Sequence, residues 1–302
     1  MHSPKVEQVE QVEQVEAPDQ EAAIQRNPHT DFAAVETKRP LYEVHQSLNI
    51  TKTPNPSWQP GDGASNQDWK SQKSVSIDPY EEGRGPWLNY KLLTSATVPR
   101  PIALASTVSA DGKTANLAPF SFWQCAAVDP PMYSISFTGR AVNDTLANLL
   151  ATKEMCISMT SDWLIEAANF ASVNAPRHVS EWRLAGLTPK ASDLVQPAHV
   201  AESPYSVECK LHSVQDFYAK TDPTVRTSTM VVVEVVRFHV WDDALSDDRA
   251  TADMAKLRPV FRAGGIMYGP CSDAFELPRP AAFRELRVDE AVQSLIAEES
   301  SE

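Results

Sequence analysis

Side chains able to hold an anion concentrate between Val98 and Asn148 of this 302-residue chain. Arg100 stands between Pro99 and Pro101. The prolines fix φ and remove backbone donors, so the guanidinium is presented from a rigid turn. Ser106 and Thr107 lie at the end of the apolar run that follows, and Asn116-Leu-Ala-Pro-Phe-Ser121 interleaves polar side chains with small residues. Thr138-Gly-Arg140 then precedes Asn143-Asp-Thr145, which reads as a helix start. An arginine beside a helix N-terminus joins a bidentate cation to free N–H groups, which is the chemistry of a phosphate site. The same residues also support a plainer arrangement, in which Asp144 or Thr145 caps the helix and Arg140 is solvated.

Other chemistries lack their residues. The chain has only 10 Gly and contains no G-x-G-x-x-G, G-x-x-x-x-G-K-[ST] or G-x-S-x-G, so glycine-loop phosphate cradles and a nucleophile elbow are not expected. The histidines, at 2, 29, 45, 178, 199, 212 and 239, show no metal-ligand spacing, and no metal is expected. His212 and His239 fall in strand-like runs and read as satisfied or solvated sheet residues. His178, in Asn174-Ala-Pro-Arg-His, is a pocket candidate. No Ser or Cys has a recognisable nucleophile context, so no catalytic side chain is assigned.

A net charge of −13 argues against nucleic acid and against anionic membranes, both of which need clustered Lys and Arg. No apolar run approaches the roughly 18 residues of a membrane span. The start, Met-His-Ser-Pro-Lys followed by acidic residues, has no apolar signal region. These features lead to the expectation of a soluble cytoplasmic protein. Cys125, Cys156, Cys209 and Cys271 each sit in or beside an apolar stretch and are expected to be free, buried thiols.

The elements that must position the polar residues follow from patterning. Residues 1–80 are expected to be disordered: Val6–Glu16 is a Val-Glu-Gln triplet repeat, and the next sixty residues scatter proline among polar side chains. Trp58 and Trp69 are exceptions, suited to dock as an extended arm on the folded domain or on a partner subunit. One domain is expected over 87–285, and a C-terminal helix and tail over 286–302. Strands are predicted at Ile102–Val108, Thr114–Leu117, Phe120–Val128, Met132–Phe137 and Met155–Thr160, with Asp111-Gly112 closing the first hairpin. Helices are predicted at Asn143–Ala151, Asp162–Ala171 and Val288–Ala297. Residues 172–203 read as loop, and Val207–Val214 and Met230–Trp241 are the longest strands. This meander suggests a closed antiparallel barrel.

In order and spacing, VPRPIALASTVSADGKTANLAPFSFWQCAAVDPPMYSISF followed by NDTLANL resembles the flavin-reductase-like FMN-binding split-barrel proteins, flavoredoxin branch. Ala185-Gly-Leu-Thr-Pro189, Val200-Ala-Glu-Ser-Pro and Gly264-Gly-Ile-Met-Tyr268 match later landmarks, so the resemblance spans roughly 87–285. It implies a mainly β fold, a Greek-key-like antiparallel split barrel with a few short helices, and FMN as cofactor. By position, Ser106 and Thr107 would lie against the flavin ring or ribityl chain, and Asn116, Ala118, Pro119 and Ser121 would edge the isoalloxazine. Arg140, Asp144 and Thr145 would hold the ribityl and phosphate, with Arg100 nearby as a positioning or phosphate charge.

The resemblance further implies an NAD(P)H-dependent oxidoreductase acting as a homodimer and passing electrons to a small-molecule or protein acceptor. Two departures stand out. Asn143 replaces the usual Lys, a loss for which Arg140 would compensate. Tyr268 is followed by Gly-Pro where relatives often carry a polar or basic residue. Tyr268 joins His178 as a substrate-side candidate. The alternatives are a flavin-binding electron carrier or sensor without turnover, and a barrel that has lost flavin and serves as a scaffold.

Overall fold

The computed structural model describes residues 28–44 and 46–299, so the Val6–Glu16 repeat lies outside the described residues. The chain divides into two compact units, Met1–Tyr42 and Glu43–Glu302. The described part of the first contains a helix at Phe32–Glu36, whose start is capped where Asp31 accepts from Ala34 N at 3.0 Å. The second unit begins well before Trp87. Its early residues have little regular structure, but Asn49–Thr51 pairs in parallel with Asp273–Phe275.

Seven antiparallel strands form the main sheet of the second unit. They are β1 (Ala103–Val108), β2 (Ala115–Phe120), β3 (Trp123–Val128), β4 (Pro131–Thr138), β5 (Glu154–Met159), β6 (Tyr205–Tyr218) and β7 (Arg226–Val240). Their spatial order is β2-β1-β5-β6-β7-β4-β3. The predicted strand over Phe120–Val128 is therefore two strands, broken at Ser121-Phe122. The two outermost strands of the sheet are joined by that two-residue link. Such a link spans only about 10 Å, so the sheet must roll until its edges nearly meet. No ladder joins β2 to β3, which corrects the expectation of a closed barrel: the fold is a rolled, open sheet.

Alternation along β1 explains why it is buried on both faces. Ala103 and Ala105 enter the interior with Ile135, Phe137, Ile157, Val207 and Val231. Leu104 faces the opposite way, toward Leu117, Leu164, Trp182 and Val200. Helix α1 (Pro86–Ala96) precedes the sheet, and α2 (Asp144–Thr152) plugs the interior with Leu146 and Leu149. Asn143 is the N-cap of α2, its Oδ1 accepting from Leu146 N at 2.9 Å. The predicted helix at Asp162–Ala171 is a 3-10 turn, Asp162–Leu164, followed by α3 (Ile165–Phe170). The predicted loop over 172–203 contains α4 (Glu181–Ala185), which ends on Gly186 at φ 71°. That left-handed cap suits a residue without a Cβ.

The cysteines are free, but only Cys156 and Cys209 are fully buried. Cys125 is exposed on β3, an edge strand with little covering it, which corrects the expectation for that residue. Burial pushes the Cys156 thiol up to about 12, leaving it protonated and inert. His239 is satisfied, as its strand position suggested: its Nε2 lies 2.6 Å from the buried Glu208 Oε1. Asp193, Glu208 and His239 form one cluster of metal-ligand type that sequence spacing does not reveal. Glu208 already accepts from Asp193 N and Leu194 N, so the cluster acts as a hydrogen-bonded staple.

Candidate functional site

Three of the predicted residues converge beneath the first turn of α2. Thr107 and Asn116 are cross-strand partners on β1 and β2, and Thr145 sits in the first turn of the helix above them. Asn116 Nδ2 donates to Thr145 Oγ1 at 2.8 Å and more weakly to Thr107 Oγ1 at 3.4 Å. Asn148, one turn further along α2, also donates to Thr107 Oγ1 at 3.2 Å. All three predicted residues are buried. Each threonine hydroxyl accepts a bond and keeps its own proton to donate. The network therefore braces the start of α2 from behind.

Charge is added around the same helix start. Asp144 lies in the first turn, where it complements the helix dipole, and Arg177 Nε pairs with its Oδ1 at 2.9 Å. Arg177 Nη2 also reaches Val142 O at 3.5 Å. From the other side, Arg226 Nη2 donates to Arg140 O at 2.8 Å. The Arg140 side chain is solvent-facing and near Asp222, whose carboxyl is held below its ordinary range, chiefly by hydrogen bonds from Thr224 and in part by Arg140. The loop leading into α2 is thus flanked by three arginines. The sequence draws attention to His178 but passes over its neighbour Arg177, and Arg226 carries no local signal. Both owe their place to tertiary contacts across the fold.

Other predicted residues are used differently. Ser106 neighbours Thr107 in sequence, but strand alternation sends it to the opposite face, where its hydroxyl donates to Ala198 O. It cannot face the same ligand as Thr107, which corrects the expectation for Ser106. Of the two parts expected of Arg100, the structure fits positioning rather than a phosphate charge. Its guanidinium is buried and spent on Thr94 O and Thr97 O, both at 2.5 Å, and Ala263 O at 2.9 Å, with Ser121 Oγ at 3.4 Å. Rather than offering a charge to phosphate, it ties α1, the end of β2 and the 260–265 segment together.

The remaining predicted residues lie along the edge strand. Ala118 and Pro119 are half-buried on β2. Ser180 Oγ donates to Ala115 O at 2.5 Å, and Leu117 N donates to Glu181 Oε2 at 3.1 Å, so α4 caps the outer edge of β2. Burial pushes the Glu181 carboxyl above its ordinary value. Pro119 brings no N–H, which blunts the rest of that edge. Ser121 sits in the link to β3, within reach of Arg100. Tyr268 is held by Asn169 of α3, to whose Oδ1 its hydroxyl donates at 2.8 Å, and by Arg262, stacked 4.3 Å from its ring centre. His178 is exposed on the loop before α4.

The donor set suits a phosphorylated ligand with a polar heterocycle: hydroxyls and an amide at depth, and arginines with a helix N-terminus at the rim. Comparison with known proteins identifies the class. The flavin reductase like domain matches residues 95–255. An uncharacterized protein of Aquifex aeolicus is 35% identical over 182 residues, covering 59% of this chain and 88% of that protein. Protein YwrF of Bacillus subtilis is 30% identical over 194 residues, covering 64% and 93%. Nitrilotriacetate monooxygenase component B from Bacillus cereus superposes with a TM-score of 0.64 at 29% identity, covering 68% of this chain and all of that one. Flavoredoxin of Desulfovibrio vulgaris shares the fold, with a TM-score of 0.50 at 21% identity over 61% of this chain and 92% of that one. Among the described residues no helix is long and apolar enough to cross a membrane. The chain belongs to the flavin reductase like domain family.

Proposed function

We propose that the protein is an FMN-dependent oxidoreductase that takes reducing equivalents from NAD(P)H and passes them to a small-molecule or protein acceptor. The observation that carries this reading is the meeting of Thr107, Asn116 and Thr145 under the start of α2, with Arg140 and Arg177 at its rim. When bound, the flavin supplies the two-electron chemistry, and the protein's own residues supply binding and orientation. Arg140 and Arg177 hold the phosphate with the first-turn N–H groups of α2, and Thr145 and Asp144 meet the ribityl chain. Asn116 fixes the two threonines by donating to both hydroxyl oxygens. Ala118, Pro119 and Ser121 border the ring. No side chain is required to exchange a proton in this scheme.

The working unit in this reading is a homodimer in the cytoplasm. Large apolar side chains are uncovered on α1 (Trp87, Leu88, Leu92, Leu93), and Val128 on edge strand β3 is 93% exposed. Uncovered large apolar side chains of this kind suit an interaction face. Light scattering at micromolar concentration should give twice the chain mass.

The phosphate assignment is tested by comparing FMN with riboflavin, which differ by the phosphate alone. Arg140→Ala and Arg177→Ala should each weaken FMN binding about tenfold, the value of one charge-assisted contact, and leave riboflavin binding unchanged. Equal FMN affinity in wild type and both variants would remove the phosphate from this helix start.

A further inference from the structure

The staple of Asp193, Glu208 and His239 has the composition of a cation site and also the spacing of one. Across β6 and β7, His239 pairs with Ser206 and Glu208 with Arg237, so Glu208 and His239 are diagonal neighbours on one face of the sheet. The segment between α4 and β6 brings Asp193 and His199 to that face. It is anchored where Asp193 N and Leu194 N donate to the Glu208 carboxylate at 2.7 and 2.6 Å. One ligand atom from each of Asp193, Glu208 and His239 lies within 4.8 Å of the other two.

Two further observations bear on what this cluster holds. Glu208 is fully buried, and its side-chain partner among the described residues is His239, with Nε2 2.6 Å from Oε1. A buried carboxylate must be matched by donors or by positive charge, and a shared proton and two main-chain N–H groups do so here. His199, 3% exposed, stacks on His239 with ring centres 4.1 Å apart. Its buried Nδ1 has no hydrogen-bond partner among the described residues. A buried polar nitrogen left unpaired is costly, and this one belongs to a ring packed directly on a member of the cluster.

The nearby thiol is already occupied. Cys156 is the cross-strand partner of Glu208 on β5, but its Sγ lies 3.1 Å from Ser192 Oγ and 3.0 Å from Pro197 O. The remaining donors are two carboxylates and imidazole nitrogens. That set suits a divalent transition metal such as zinc, and not the soft ions that select thiolate.

We propose that this cluster is a metal site, separate from the α2 site, which binds one zinc-class divalent ion through Asp193, Glu208 and His239, with His199 as the fourth ligand. The metal–ligand bonds form as the His239–Glu208 contact opens, and the proton shared by that pair passes to solvent. Asp193 is the exposed member, so the ion enters past its carboxylate. The surface contact of Arg237 Nε with Asp193 Oδ2, 3.6 Å long, is given up. The bound ion fastens the segment carrying Asp193 and His199 to the β6–β7 pair.

The test is calorimetric titration of the full chain, stripped with EDTA, with Zn2+ and with Mg2+. Wild type should bind one Zn2+ per chain about a hundredfold more tightly than Mg2+. Repeating the titration in buffers of different ionisation enthalpy should show release of about one proton. Asp193→Asn, at an exposed position, His239→Gln, which can still donate to Glu208, and His199→Phe, which keeps a buried ring, should each weaken Zn2+ binding by more than about tenfold, the cost of losing even a group that supports a ligand. Asp193→Asn serves if the buried variants do not fold. His212→Asn, at an exposed position on β6, should leave the affinity unchanged. Absence of saturable Zn2+ binding to wild type would overturn the proposal, as would equal binding by wild type and Asp193→Asn, equal affinity for Mg2+, or a loss in His212→Asn as large as that in His239→Gln. Because metal binding is read without flavin, failure here leaves the flavin assignment standing, and the converse also holds.

Discussion

Replacing Arg100 by Ala separates two readings of the Pro-Arg-Pro turn. A phosphate-binding arginine would cost flavin affinity and little stability, whereas the buried clasp predicts the reverse. The guanidinium makes three main-chain contacts of 2.5, 2.5 and 2.9 Å and a longer one to Ser121. Hydrogen bonds to a charged donor contribute about 1.5–3 kcal/mol each, but removing the arginine also removes its own desolvation cost. Burial pushes the Arg100 pKa below its ordinary value, which is that cost seen from the side of the charge. The net loss for Arg100→Ala is set at about 3–5 kcal/mol, because three carbonyls lose their donor at about 1–3 kcal/mol each and the lost desolvation cost returns part of it. For a domain of this size that lowers Tm by roughly 6–20 °C. Arg100→Lys keeps the charge but loses the planar fork that reaches three carbonyls, so its loss should be intermediate. Thermal melts of the flavin-free protein read the stability, and FMN titration of the folded variants reads the site. The reasoning is refuted if Arg100→Ala melts within about 2 °C of wild type while FMN affinity falls tenfold.

Stability should fall in mild acid. Burial, with a smaller contribution from the stacked His239, depresses the His199 pKa from 6.5 to about 4. An unfolded chain then binds a proton that the folded one refuses. The contribution is intact above pH 6.5 and is lost as pH falls toward 4. It amounts to about 2 kcal/mol between pH 7.5 and 5, readable by urea melts and removed in His199→Phe. Thr145→Val deletes the better acceptor for Asn116. It should cost about 1–3 kcal/mol of stability and weaken FMN binding about tenfold, measured by the same melts and titrations. Glu181→Ala frees Leu117 N at a buried edge and should cost about 1–3 kcal/mol without changing the FMN-to-riboflavin affinity ratio.

What the sequence made legible was local. Alternation in Met132–Phe137 and the Asp111-Gly112 turn mark β4 and the β1–β2 hairpin, and the start of α2 is legible to within a residue, although its cap is Asn143 rather than Asp144 or Thr145. The break at Ser121-Phe122 carries no such mark, because an unbroken apolar run fits one strand as well as two; only closure of the rolled sheet divides it. The same limit separates Thr107 from Ser106. Both are small hydroxyl residues in a strand, and which one faces α2 depends on register. Arg177 and Arg226 reach the helix start through contacts that span 33 and 86 residues of chain, beyond any local pattern. Arg100 presents the opposite case, since its flanking prolines signal rigidity while the carbonyls that occupy it come from two segments far apart in sequence from one another.

The central claim is tested most directly by anaerobic titration of the purified, FMN-loaded protein with NADH and with NADPH, following flavin absorbance, with and without added free FMN. The account predicts stoichiometric bleaching of the bound flavin by at least one nicotinamide, with no need for free FMN. A protein that binds no FMN would contradict the cofactor assignment, and one whose bound flavin stays oxidised under both nicotinamides would be a carrier rather than the oxidoreductase proposed.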